Sequence, residues 1–310
     1  MIIIIDEASA KLASFFYHDD EIAAMVESTD DYVKIFSWEI PGTDTETATV
    51  AGHNWIIEIR VSKETPQTDF ADFVKKTLTD RKIDTSECIW IVSDEKQRRC
   101  AETLGIAAIG EPDCGTRYAI ESISEIDVEY LERTRRRYNN IPWIIGCTDR
   151  CVIRELSLDD LPALYELYAK PGMTEFVEQL YEPEKELEYE KAYIECMYGF
   201  YEYGMWLVFS KETGKLIGRA GLEHRDYGDE TELEMGYMIA PEYRRKGYAT
   251  EICGFIIDYA TENTSFERIN CLIDRDNTAS IGLVKKLGFE YAGQSDASGE
   301  WLGRYILYID

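Results

Sequence analysis

Pro241-Glu242-Tyr243-Arg244-Arg245-Lys246-Gly247-Tyr248-Ala249-Thr250-Glu251 is the stretch on which the reading of this chain turns. Its core is Arg-x-x-Gly-x-Ala, from Arg244 to Ala249. A strand-like run precedes it and an apolar, helix-periodic run follows. A turn in that setting offers backbone N–H groups backed by a helix N-terminus, which suits a pyrophosphate. Gly247 and Ala249 are small enough to let phosphate approach the backbone, and Arg244, Arg245 and Lys246 add positive charge.

The chain has 310 residues, a length that favours two domains. It carries 33 basic and 60 acidic residues, a net charge of −27. That balance argues against nucleic acid, whose phosphates need a basic face. An acidic surface attracts cationic substrates, or serves solubility alone. Eight scattered cysteines form no Cys-x-x-Cys pair, and there are only three histidines (His18, His53, His224), so a zinc cluster is not expected. Reduced thiols fit a cytoplasmic protein. The opening apolar run, Met1 to Ile5, is too short for a signal segment, and no run is long enough to span a membrane.

The first half alternates strand-like runs (Ile2 to Ile5, Trp55 to Val61, Cys88 to Val92, Ile106 to Ile109) with helix-like runs (Phe70 to Leu78, Glu95 to Leu104, Glu129 to Arg137). Such alternation predicts a parallel α/β sheet. Asn139-Asn140-Ile141-Pro142 reads as a break, with a linker running to about Cys151 and domains at 1–146 and 147–310. The second half restarts with a strand, Cys151 to Leu156, then Ser157-Leu158-Asp159-Asp160 as a helix-capping box with Asp for Glu. A long acidic, Tyr-rich helical region follows at Glu182 to Tyr203. Met205 to Ser210 and Leu216 to Glu223 read as a hairpin and Glu232 to Ala240 as a strand. Then come helix Gly247 to Glu262, strand Arg268 to Asp274, helix Thr278 to Leu287 and two terminal strands.

Two motifs carry a family resemblance: Glu234-Met235-Gly236-Tyr237-Met238-Ile239 leading into the Arg244 loop, and Asn277-Thr278-Ala279-Ser280 followed by Leu287-Gly288-Phe289. Together they make the segment from about Cys151 to Asp310 resemble the GNAT acetyltransferases, most closely the branch with ribosomal-protein N-terminal acetyltransferases. The resemblance implies a mixed sheet flanked by helices, acetyl-CoA as co-substrate, and direct attack of a primary amine on the thioester. It implies that backbone N–H groups around Arg245 to Thr250, including Lys246 and Tyr248, hold the pyrophosphate. Asn277 would bind the pantetheine arm. A backbone N–H at Met238 or Ile239, with Ile239 preferred, would face the oxyanion. Glu234 sits where the family often carries a carboxylate acting through water; it reads equally as a strand-pairing residue. Many members place a Tyr seven residues after the Asn as general acid, and this chain has Val284 there. Ser280 is the alternative acid, or a helix cap or coenzyme contact; Tyr237 is a third candidate. The acidic run Glu175 to Glu190 would wall the acceptor site, or form a solvated helix face.

The first half resembles the HAD-type hydrolases, through Ser86 to Asp94, Leu104 to Gly110 and Tyr118 to Ile126. Asp6 falls where that family has its nucleophile, and Val61-Ser62 fits its second motif. The departures are Ala8 for the usual acid/base Asp and Arg98 at the acidic position four after Asp94. Asp6 and Asp94 could still share one metal ion, but a degenerate scaffold is the preferred reading. The expected activity is an acetyl-CoA-dependent N-acetyltransferase acting on a peptide N-terminus or small cationic amine. The alternatives are a silent acyl-CoA-binding regulatory module, or a Mg²⁺-dependent hydrolase in the first half. A homo-oligomer is left open.

Overall fold

The computed structural model describes residues 2–6, 32–37, 56–60, 70–80, 82–126, 128–227, 230–297 and 300–309. Contacts divide the chain into Met1–Ile141 and Pro142–Asp310.

In the first unit the described strands are β1 Ile2–Asp6, β2 Tyr32–Ser37, β3 Ile56–Arg60, β4 Cys88–Ile91, β5 Ala107–Gly110 and β6 Tyr118–Ala119, in the order β3-β2-β1-β4-β5-β6. The helices are α1 Phe70–Asp80, α2 Glu95–Leu104 and α3 Val128–Tyr138. The run of isoleucines in β1 has no alternation because both sheet faces are covered. Ile3 and Ile5 pack with Leu131 of α3, while Ile4 packs with Val74 and Leu78 of α1 and Ala101 of α2. The β1-β4-β5-β6 portion is parallel, as alternation predicts. The all-parallel expectation needs correcting at the other edge, where β2 and β3 pair antiparallel with β1 and with each other. Ala8 and Val61-Ser62 lie outside the described residues.

The second unit contains β7 Ile144–Cys147, β8 Cys151–Arg154, α4 Leu161–Tyr168, α5 Pro183–Tyr193, β9 Met205–Ser210, β10 Leu216–Tyr227 and β11 Glu230–Ile239. It continues with α6 Tyr248–Asn263, β12 Arg268–Ile273, α7 Thr278–Lys286, β13 Glu290–Ala297 and β14 Glu300–Tyr308. The sheet order is β13-β14-β12-β11-β10-β9-β8-β7. The expected linker around 144–147 is instead β7, hydrogen-bonded to β8, so the unit begins before residue 147. The long helix expected at Glu182 to Tyr203 is α5 continued by a π-helical segment, Ile194–Tyr201. Ile252, Ile256 and Ala260, four residues apart, seat α6 on one sheet face with Trp206, Leu222 and Leu233.

β11 and β12 are parallel, yet pair only at Leu233↔Ile269 and Glu234↔Asn270. Beyond that point the strands part, with the Cys271 thiol donating to the Met235 carbonyl at the apex (3.4 Å). On the other side β11 runs unbroken against β10 from Glu230 to Ile239. β10 also lies close to the chain entering β9: a Cβ on Gly221 would fall 1.9 Å from the Gly204 carbonyl oxygen. Gly221→Ala must therefore displace backbone. It should lower stability by about 1–3 kcal/mol, seen as a lower melting temperature in calorimetry.

Candidate functional site

The parting of β11 and β12 opens a cleft of about 730 Å³. One side is Tyr237, Met238 and Ile239; the other is Asp276 to Ser280 with Leu283 and Lys286 of α7; the floor is the Arg244–Thr250 turn; the wall is Gly172 to Val177. Of the residues named from sequence, Met238, Ile239, Arg244, Arg245, Gly247, Ala249, Thr250, Asn277 and Ser280 all line it. Glu234, Lys246 and Tyr248 do not.

Strand alternation decides which backbone groups face the opening. The Ala240 N–H donates to the Ile217 carbonyl on β10 (2.8 Å). In an antiparallel ladder, residues two apart point the same way, so the Met238 N–H also faces β10 and the Ile239 N–H faces the cleft. The Met235 carbonyl, reached by Cys271 on the β12 side, fits the same parity. The Ile239 carbonyl on that open edge is already taken by Arg244 Nε (2.9 Å).

The turn itself is built from left-handed residues, Arg245 (φ 60°) and Gly247 (φ 84°), which fold successive N–H groups towards one side. α6 follows at once. Its first intrahelical bond is Glu251 N–H to the Gly247 carbonyl (3.1 Å), so the N–H groups of Tyr248, Ala249 and Thr250 have no carbonyl four residues back. The guanidinium of Arg244, expected to add charge for phosphate, is spent on structure. Besides Ile239 it donates to the Gly172 carbonyl (2.9 Å) and to Met173 Sδ (3.2 Å). The Tyr248 ring is buried, edge-on to Tyr243.

Across the cleft, Asn277 Oδ1 accepts the Ser280 N–H (3.1 Å) and caps α7. Its amide nitrogen is left to donate to a ligand. Ser280 is half-buried, and its carbonyl accepts the Tyr237 hydroxyl (3.3 Å). Burial pushes the Tyr237 phenol well above its usual range. Val284 is fully buried in the core, so position 284 faces away from the cleft.

Glu234 stands at the apex, on the last residue pair before the strands part. It is ion-paired with Arg225 (2.5 Å) and accepts from the Tyr227 hydroxyl (3.1 Å). Burial raises its carboxyl above the usual range, against the pull of Arg225. The closed end of the opening is held by Glu232, which accepts from Asn270 Nδ2 (2.5 Å) and Arg304 (2.7 Å) and pairs with Arg268 (2.6 Å). In the first unit Asp94 accepts the N–H groups of Lys96 and Gln97 (2.9 and 2.8 Å), and so acts as the N-cap of α2. Arg98 is paired with Glu95 and Glu102.

Sequence reasoning missed Phe176 and Val177, which present apolar surface to the cleft from an irregular segment without periodicity. It also missed Arg150, which grips the back of the turn from a distant part of the chain.

Residues 150–290 match the family model described as acetyltransferase (GNAT) domain. Among curated relatives, the uncharacterized protein YkkB of Bacillus subtilis is 33% identical over 92 residues, 30% of this chain and 54% of the relative; the chain thus spans about half of that protein's length. The uncharacterized N-acetyltransferase YoaA of the same species is 27% identical over 149 residues, 47% of this chain and 82% of the relative. Among solved structures, the ribosomal-protein-S5-alanine acetyltransferase from Vibrio fischeri is 16% identical, covering 53% of this chain and 96% of that one, with a TM-score of 0.47. The family-model match places a GNAT acetyltransferase domain within the second unit. The family match does not extend into the first unit.

Burial works against ionisation of Glu232, but Asn270 and the guanidinium groups of Arg304 and Arg268 outweigh it and hold the carboxyl below the usual range. A lowered folded-state value means stability that is present above the unfolded value and is lost as pH falls through the folded one. The stability gap between wild type and Glu232→Gln should therefore be full above about pH 4.5 and close on further acidification, as read from melting temperatures across that window.

Proposed function

We propose that this GNAT-family N-acetyltransferase transfers acetyl from acetyl-CoA directly to a primary amine, either a peptide N-terminus or a small cationic amine. The observation that carries the reading is the convergence on one cleft of the unpaired N–H groups of the 245–250 turn, the open edge of β11 and the cap residue of α7. The turn takes the pyrophosphate. The β11 edge pairs with the pantetheine amides as an added strand would. The Asn277 amide donates to the same arm.

The Ile239 N–H is the donor for the charge that develops on the thioester oxygen, because parity aims it into the cleft and Met238 away from it. Glu234 lies five residues along the strand from Ile239, about 17 Å. It therefore takes the amine proton through water and not by direct contact. An α-amino group, with pKa about 8, asks less of such a relay than a lysine does. Ser280 protonates the leaving thiolate: Val284 lies in the core, and of the two α7 hydroxyls on the cleft, Ser280 is half-buried while Thr278 is exposed. Glu175 on the wall and the net charge of −27 favour a cationic acceptor. The first unit serves as scaffold; the helix cap taken by Asp94 supports that reading over a metal-dependent hydrolase.

The test is thiol release from acetyl-CoA with a panel of amines and N-terminal peptides. Turnover is expected with a cationic acceptor, and Ser280→Ala should cut kcat about a hundredfold or more. If acetyl-CoA raises the melting temperature but no amine releases thiol, the domain is a silent binding module and the transferase reading is lost.

Asn277 offers a second check because its two side-chain atoms have separate roles. Asn277→Asp keeps the oxygen that caps α7 and loses the amide donor, so stability should hold while the KM for acetyl-CoA rises. Asn277→Ala loses both and should also cost about 1 kcal/mol of stability. Titration calorimetry with CoA and thermal melts would separate the two effects.

A further inference from the structure

We infer that Arg150, in the turn between β7 and β8, is the positioning residue that aims the Gly247 N–H into the phosphate site; this rests on the pyrophosphate reading of the turn. Arg150 approaches from behind the turn and does not line the cleft. Its backbone N–H and Nε grip both carboxylate oxygens of Glu251 in the first turn of α6 (2.9 and 2.6 Å). Its guanidinium carbon lies 4.0 Å from the centre of the Tyr248 ring. A terminal nitrogen donates to the Lys246 carbonyl (2.9 Å).

That last bond sets the geometry. No described peptide bond is cis. In a trans peptide the carbonyl and the following N–H point in opposite directions. Fixing the Lys246 carbonyl on Arg150 therefore turns the Gly247 N–H away from Arg150, towards the cleft that Gly247 lines. Gly247, at φ 84°, has no Cβ to restrain this peptide plane, which without a tether would rotate easily. Glu251 holds the other edge of the guanidinium and balances its charge. Arg150 thus acts through the direction of a donor and contributes little field of its own. Lysine keeps the charge but lacks the planar fork that spans Glu251 and Lys246 together.

The experiment compares wild type, Arg150→Gln and Arg150→Lys with two donors, acetyl-CoA and acetyl-pantetheine, which lacks the pyrophosphate. For both variants the KM for acetyl-CoA and the calorimetric Kd for CoA should rise about tenfold, the loss of one hydrogen bond to a charged acceptor. The kcat at saturation should stay within about twofold of wild type, and kcat/KM with acetyl-pantetheine should not change. Full rescue by lysine would mean that charge and not aim is the contribution, and would overturn the inference. An equal loss with both donors would mean general destabilisation and overturn it too. A wild-type protein that does not bind CoA at all would instead sink the underlying reading of the turn.

Discussion

Everything in the second unit depends on two parallel strands that stop pairing after two residues. Leu233↔Ile269 and Glu234↔Asn270 join β11 to β12, and the cluster of Glu232, Asn270, Arg268 and Arg304 secures that end. Beyond it, β11 keeps its full ladder to β10 and leaves its other edge bare. Bare backbone donors and acceptors in a partly buried cleft need partners. The protein supplies two, the Cys271 thiol at the Met235 carbonyl and Arg244 at the Ile239 carbonyl. On the proposed reading, the remaining groups suit a ligand that is itself amide-rich and extended. The neighbouring turn and helix start then ask for an anion at one end of that ligand.

The donor side of this site is built from backbone and is therefore insensitive to most side-chain changes. The chemistry of proton transfer is a different matter, because it depends on individual side chains that this chain has altered or enclosed. Val284 belongs to the core, the Tyr237 hydroxyl is engaged with the Ser280 carbonyl, and Glu234 is paired with Arg225 at the apex. A thiolate is a good leaving group and an α-amine is a modest base. Such a reaction makes lighter demands on acid and base than on the placement of the two reactants.

How far this was readable from the chain follows from which interactions are local. The turn, its glycine and the helix behind it are contiguous in sequence, so the floor of the cleft was legible from Arg244 to Thr250. The Asn277 cap was legible for the same reason. Strand parity, once β11 was recognised, favoured Ile239 over Met238 only after the Ala240–Ile217 bond fixed the phase. The β7 strand was missed because its register against β8 is irregular and its burial pattern lacks alternation. β3 was read as a strand, Trp55 to Val61, but not as an antiparallel one, because an apolar strand carries no mark of its direction; β2 was not read as a strand. Arg150 left no trace in sequence: its partners Lys246 and Glu251 are about a hundred residues away, and a lone arginine in a turn reads as solvated.

The three-way grip of Arg244 joins parts that a list of ligand contacts would treat separately. Its backbone belongs to the floor of the cleft, while its side chain holds the edge of β11 through Ile239 and the wall through Gly172 and Met173. A molecule settling on the floor and another leaning on the wall therefore address the same guanidinium. Thermodynamic linkage makes any such influence mutual: by whatever factor one guest alters the affinity of the other, the second alters the first equally. The order in which the two arrive then affects the kinetics of filling the cleft and leaves the stability of the filled complex unchanged.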